Sequence, residues 1–231
     1  MIALLRSFRE TRHPGRPVRR RRPAMAVEGL DQRALLSAGL GQVLAARVAE
    51  VRPEHEVEHN GTVVKTPRFY EDYTGPQLAQ LDVMKATGQL RRDGSFRFLG
   101  VNQGAINPNV TATYVFGVDR SGHLPTGPFP GRPDIRFDAT VAIKIVPGRS
   151  PTVTVTDLAN KTSTTLPGSA LRISGRAVEV TLPGSLLPST GLASSQFRYD
   201  YWPEDGLPGS TNIASFAPEA HDIRVGVGHR P

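Results

Sequence analysis

Cysteine is absent from the 231 residues. That excludes disulfides, cysteine-ligated zinc, iron–sulfur clusters and thiol catalysis, and it leaves core packing to hold any exported form together. Long hydrophobic runs are missing too. The longest apolar stretch, Ala34–Ala46, covers 13 residues and is interrupted by Ser37 and Gln42. A permanent membrane-spanning helix needs about 20. No Walker-type phosphate loop, Gly-x-Ser-x-Gly elbow or Gly-x-Gly-x-x-Gly fingerprint occurs, so the usual signals for nucleotide, hydrolase and dinucleotide chemistry are lacking.

Excess charge is missing from most of the chain. The formal net charge is +7, but residues 1–24 hold eight arginines against the single acid Glu10. The remaining residues carry 20 basic and 20 acidic side chains. A body with no positive excess has nothing with which to displace counterions from a phosphate backbone, so nucleic acid is not an expected partner.

Glycine (23) and proline (20) are frequent, as many short strands joined by turns require. Residues 1–24 lack apolar periodicity and read as a disordered basic tail. A basic stretch followed by the short apolar run 34–46 has the parts of a signal peptide, with Val43-Leu44-Ala45 as a small-residue cleavage site. The alternative is a short amphipathic helix packed on the domain.

The segment Val27-Glu28-Gly29-Leu30-Asp31-Gln32-Arg33-Ala34-Leu35-Leu36-Ser37 resembles the LEPR-XLL motif of large exported or surface bacterial proteins. Glu28, Leu30, Asp31, Arg33, Leu35, Leu36 and Ser37 match, and Val27 stands where leucine is usual. The resemblance implies export, to the cell surface or beyond it. Residues 25–49 are therefore expected as an export segment and 50–61 as a linker.

From about residue 63 the pattern has period two. Ser95–Val101, Thr113–Asp119, Ile135–Ile145, Thr152–Thr156, Val178–Leu182, Phe197–Tyr201 and Ile223–Val227 read as strands, Thr113–Asp119 by its β-forming residues and the rest by alternation, and Gly, Pro, Asp and Ser clusters separate them. In the third of these, Ile135, Phe137, Ala139, Val141, Ile143 and Ile145 share one face, which places Phe137 in a core. Pro76–Val83 reads as a short helix or as a strand. The expected fold is all-β: a two-sheet antiparallel β-sandwich, jelly-roll or immunoglobulin-like, over 62–228.

The order of Leu81-Asp82-Val83, the Asp93-Gly94 hairpin, Tyr114–Asp119, Asp134–Phe137, Val178–Pro183 and Phe197-Arg198-Tyr199 resembles DOMON-like and carbohydrate-binding-module-type sandwiches. That resemblance implies a non-catalytic module whose partners are polysaccharides or cell-surface components. No haem-ligand pair is visible, so haem is not carried over.

Four constellations bear on a site. Tyr199, Tyr201 and Trp202 are candidate sugar-stacking rings, although the alternation also suits Phe197, Tyr199 and Tyr201 to a core. Trp202 breaks that alternation ahead of Pro203, which points it toward a surface. Asp119, Asp134 and Asp138, with Glu204 and Asp205, offer oxygens of the kind calcium takes, and they are equally ordinary turn residues. Calcium is the only cofactor suggested.

His55-Glu56-Val57-Glu58-His59 is a literal H-E-x-x-H, the basis of an alternative reading as a metal-dependent hydrolase. That chemistry needs both imidazoles on one helical turn. Pro53 before the motif and Asn60-Gly61 after it argue against a helix and for a linker or edge strand. Leu187-Pro188-Ser189-Thr190-Gly191 matches a sortase signal, but no apolar segment follows it, so it reads as a loop.

Overall fold

A computed structural model of the chain describes residues 56–122, 134–206 and 213–228. The basic tail, the motif and apolar segment at 25–49, and residues 50–55 with His55 lie outside the described residues. Everything described falls within the unit Ala49–Pro231.

In chain order the strands are β1 (Val57–His59), β2 (Thr62–Val64), β3 (Val83–Leu90), β4 (Phe96–Asn102), β5 (Ala112–Asp119), β6 (Ala139–Ile145), β7 (Thr152–Asp157), β8 (Thr162–Leu166), β9 (Leu171–Ser174), β10 (Ala177–Leu182), β11 (Arg198–Glu204), β12 (Ile223–Arg224) and β13 (Gly226–Val227). They form two sheets. The first runs β1-β2-β3-β4-β10-β9, and the second β12-β11-β5-β6-β7-β8. Neighbours are antiparallel except β13, which lies parallel to the end of β3. The fold is thus a two-sheet antiparallel sandwich.

Alternation builds the core. Phe96, Phe98, Val178 and Val180 of the first sheet face Tyr114, Phe116, Val141, Ile143, Tyr199 and Tyr201 of the second, and all are buried. The Phe98 ring lies 5.3 Å from Phe116 and 6.0 Å from Tyr199, measured between centroids. Two glycines of the first sheet admit the tyrosines. A Cβ on Gly100 would lie 2.1 Å from the Tyr201 ring, and one on Gly88 would lie 2.6 Å from Tyr199.

Both sides of the sandwich are closed by chain passing between the sheets. On one side a 3-10 turn at Gly168–Ala170 joins β8 to β9. On the other, β12 pairs with β11 and, after Val225, β13 pairs with β3. The bridges Tyr201–Ala217 and Glu204–Ile213 extend this cover along β11.

Three expectations change. Residues 57–61, expected as linker, belong to the first sheet as a hairpin. Asn60 (φ 43°) and Gly61 (φ 71°) supply the two left-handed residues that a tight hairpin turn requires. The strand expected from Ile135 begins only at Ala139. Asp138 is drawn inward to Arg120, which breaks the alternation there. Phe137 is consequently half-buried on the outer face of the second sheet, its ring 5.1 Å from Trp202.

Trp202, expected near a surface, is 4% exposed. It anchors a second apolar cluster with Val115, Ile135 and Phe216. Pro203 does not end the strand. Tyr201 donates its N–H to Ala217, away from β5, and the missing N–H two residues later falls on the same side, where β5 loses nothing.

Candidate functional site

The residues singled out in the sequence are used by the fold. Tyr199 and Tyr201 are fully buried. The Tyr199 hydroxyl donates to the Gly61 carbonyl at 2.8 Å, and the Tyr201 hydroxyl meets the Asn102 side chain. The Trp202 indole N–H donates to Glu204 at 2.9 Å. None of these rings presents a face to a ligand, so the aromatic platform is not formed.

The proposed calcium ligands do not converge. Asp119 Oδ1 accepts from the backbone N–H groups of Ser121 and Gly122, stabilising its own turn. Asp134 is exposed. Asp138 pairs with Arg120 Nε at 2.8 Å and accepts from Thr190 at 2.6 Å. Among the described residues no group of three or more acidic or histidine side chains is arranged to hold a metal ion.

Arg120 explains the acids and the sortase-like loop together. Its guanidinium is fully buried between Asp138 and Asp157 and also donates to the Pro188 carbonyl. The Leu192 N–H returns a bond to the Arg120 carbonyl. Leu187–Gly191 is therefore a loop clamped onto this ion triad. Hydrogen bonds from Arg120 hold the Asp157 carboxyl down at about 2.

The H-E-x-x-H stretch is not helical. Val57–His59 is extended and pairs with Thr62–Val64, so Glu58 and His59 lie along an edge strand. The Glu56 carboxylate accepts the Glu219 N–H. The helical turn that a zincin needs is absent at 57–59.

These corrected positions border a groove of about 740 Å³ at one end of the sandwich. The β1–β2 turn, the 193–196 turn and the β12–β13 crossover form its walls. Polar groups come from Glu58, His59, Asn60, Ser195, Gln196 and Arg224, and aliphatic ones from Ile223, Val225 and Val227. Its floor is a close backbone crossing: a Cβ on Gly61 would lie 2.0 Å from the Gly226 nitrogen. His221 Nε2 stands 3.4 Å from Glu58 at the rim. A second hollow, of about 610 Å³, lies across the 193–196 turn and is lined by Asp93, Ser95, Thr181, Ser185 and Ser194. No phenylalanine, tyrosine or tryptophan is among the described residues lining either hollow.

The chain leading into the β12–β13 wall is pinned from behind. Lys65 is buried, donates to the Phe216 carbonyl at 3.1 Å and pairs with Glu219. Two buried acids flank the same segment. Burial and then the charge of Asp222 push Asp200 well above the carboxylate range. Burial raises Asp222 to about 7 although it accepts the Arg136 N–H.

Sequence reasoning missed Asn60, Ser195, Gln196 and Arg224. Asn60-Gly61 was the available signal: it marks a hairpin as well as a helix stop, and a hairpin there brings 57–61 against the C-terminal strands. Comparison with known proteins finds no family model and no curated protein that matches this chain.

Proposed function

We propose that this chain is an exported, non-catalytic binding module that holds a glycan in the groove between the β1–β2 turn and the β12–β13 crossover. The observation that carries this reading is the groove's lining. Amide, hydroxyl, carboxylate and guanidinium groups converge there around an aliphatic strip. A glycan presents a matching density of hydroxyls, and such a lining engages it through hydrogen bonds. The tyrosines and tryptophan that would serve as a stacking platform are taken up by the two cores. Export is supported by the basic stretch and apolar segment ahead of residue 47 and by the LEPR-XLL-like residues. Among the described residues no helix is long and apolar enough to cross a membrane.

A glycan array probed with the full chain tests the reading. The wild type is expected to retain at least one polysaccharide class. Gln196→Ala combined with Arg224→Ala is expected to weaken that binding at least about tenfold, the effect of ~1.4 kcal/mol, with the melting temperature unchanged. Retention of no glycan would instead favour a purely structural role for the sandwich, and undiminished binding by the double variant would put the glycan outside this groove.

A further inference from the structure

The edge strand β8 reads Thr162-Ser163-Thr164-Thr165-Leu166, and its first four residues are exposed. Among the described residues only β7 pairs with it, which leaves one row of backbone donors and acceptors open. Natural sheets guard such edges with charge, proline, a bulge or extreme shortness. The other edges here follow that rule. β1 carries Glu58 and His59, β9 carries Arg172, and β12 and β13 have two residues each. β8 has no charge and no proline, and its register with β7 is regular over all five residues. Its four hydroxyl-bearing residues include three β-branched threonines, which suit a pleated surface.

We propose that β8 pairs antiparallel with β8 of a second copy of this chain, joining the two second sheets into one continuous sheet. The strand is complementary to itself. A two-fold axis at Thr164 sets Ser163 opposite the partner subunit's Thr165 and Thr162 opposite the partner subunit's Leu166. Lys161 then falls opposite the partner subunit's Pro167, so no like charges meet. The chain beyond residue 24 carries equal numbers of basic and acidic side chains, so two bodies do not repel through net charge. A closed, isologous contact of this kind stops at the dimer. The proposal stands apart from the glycan reading, since β8 contributes nothing to the groove.

Sedimentation of the full chain, with single-cysteine trapping, tests it. The native chain has no cysteine, so a Thr164→Cys variant carries one thiol that meets its own copy at the axis. The expected results are a concentration-dependent species of twice the 25.0 kDa chain mass and a covalent dimer of Thr164→Cys under oxidation or a short bis-thiol reagent. Ser174→Cys, on the exposed edge strand β9, should give no covalent dimer. Thr164→Lys, which sets two lysines opposite each other at the axis, should shift the native chain to monomer. A native chain that stays monomeric at every concentration overturns the proposal. So does a dimer that survives Thr164→Lys, or equal trapping through Ser174→Cys.

Discussion

Arg120 is fully buried and satisfies two carboxylates and a carbonyl. Removing one member of a buried ion network leaves its partners charged and unpaired, which costs about 3–5 kcal/mol. Arg120→Ala is expected to lose that much in chemical denaturation and to free the 187–192 loop, seen as faster amide exchange there. Of the acids in this network Asp138 was singled out in the sequence and Asp157 was not. Nor was their partner, because nothing local distinguishes Arg120 in an ordinary Asp-Arg-Ser-Gly turn from a solvated arginine.

Two aspartates give opposite pH dependences. Asp157 has its folded pKa lowered to about 2 from 3.8, chiefly by Arg120. It stabilises the fold above the unfolded value, and that contribution is lost as pH falls through about 2. Asp222 is raised to about 7 from 3.8, chiefly by burial. The folded state therefore binds the proton more tightly. The contribution is complete below 3.8 and is lost as pH rises through about 7. Between those values the native chain should become less stable with rising pH. Asp222→Asn keeps an acceptor for the Arg136 N–H and should flatten that slope, read as denaturation midpoints measured at roughly unit pH steps. An unchanged slope would mean that Asp222 does not titrate in this window.

At the scale of elements, β11 carries the largest correction. Its odd-numbered rings fill the main core and Trp202 fills the second one, so both faces of a single strand are covered. Trp202→Ala is expected to destabilise by about 3–5 kcal/mol, through lost burial and a cavity. Glycan binding should persist wherever the variant is folded. Selective loss of binding without loss of stability would return Trp202 to the ligand surface.

Strands with clean alternation were legible, β4, β7, β10 and most of β6 and β11, and β5 was legible from its run of β-forming residues. Others were not, each for its own reason. The alternation of β3 is interrupted at Gly88, whose missing side chain makes room for Tyr199. β8 shows no alternation of polarity, because its edge exposes both faces. β1 and β2 have three residues each, too few to show a period, and only the Asn60-Gly61 turn announces them. Phe137 was placed in the wrong core because a buried ion pair, invisible to hydrophobic patterning, resets the register at Asp138.

For the whole molecule, two separations stand out. The excess of positive charge is confined to the first 24 residues, apart from a body with none in excess. Among the described residues the phenylalanine, tyrosine and tryptophan rings are buried or half-buried in the two clusters, away from a polar groove at one end. The sandwich class could be read from turns and alternation. The groove could not, because it joins residues 58–61, 193–196 and 223–227, which only the β12–β13 crossover brings together. The most direct measurement is amide chemical-shift mapping of the full chain titrated with a soluble fragment of the glycan retained on the array. Shifts concentrated at Asn60, Gly61, Ser195, Gln196 and Gly226 are the expected result. Shifts centred on Trp202 and Phe137, or scattered evenly over both sheets, would contradict a binding site at the end of the sandwich.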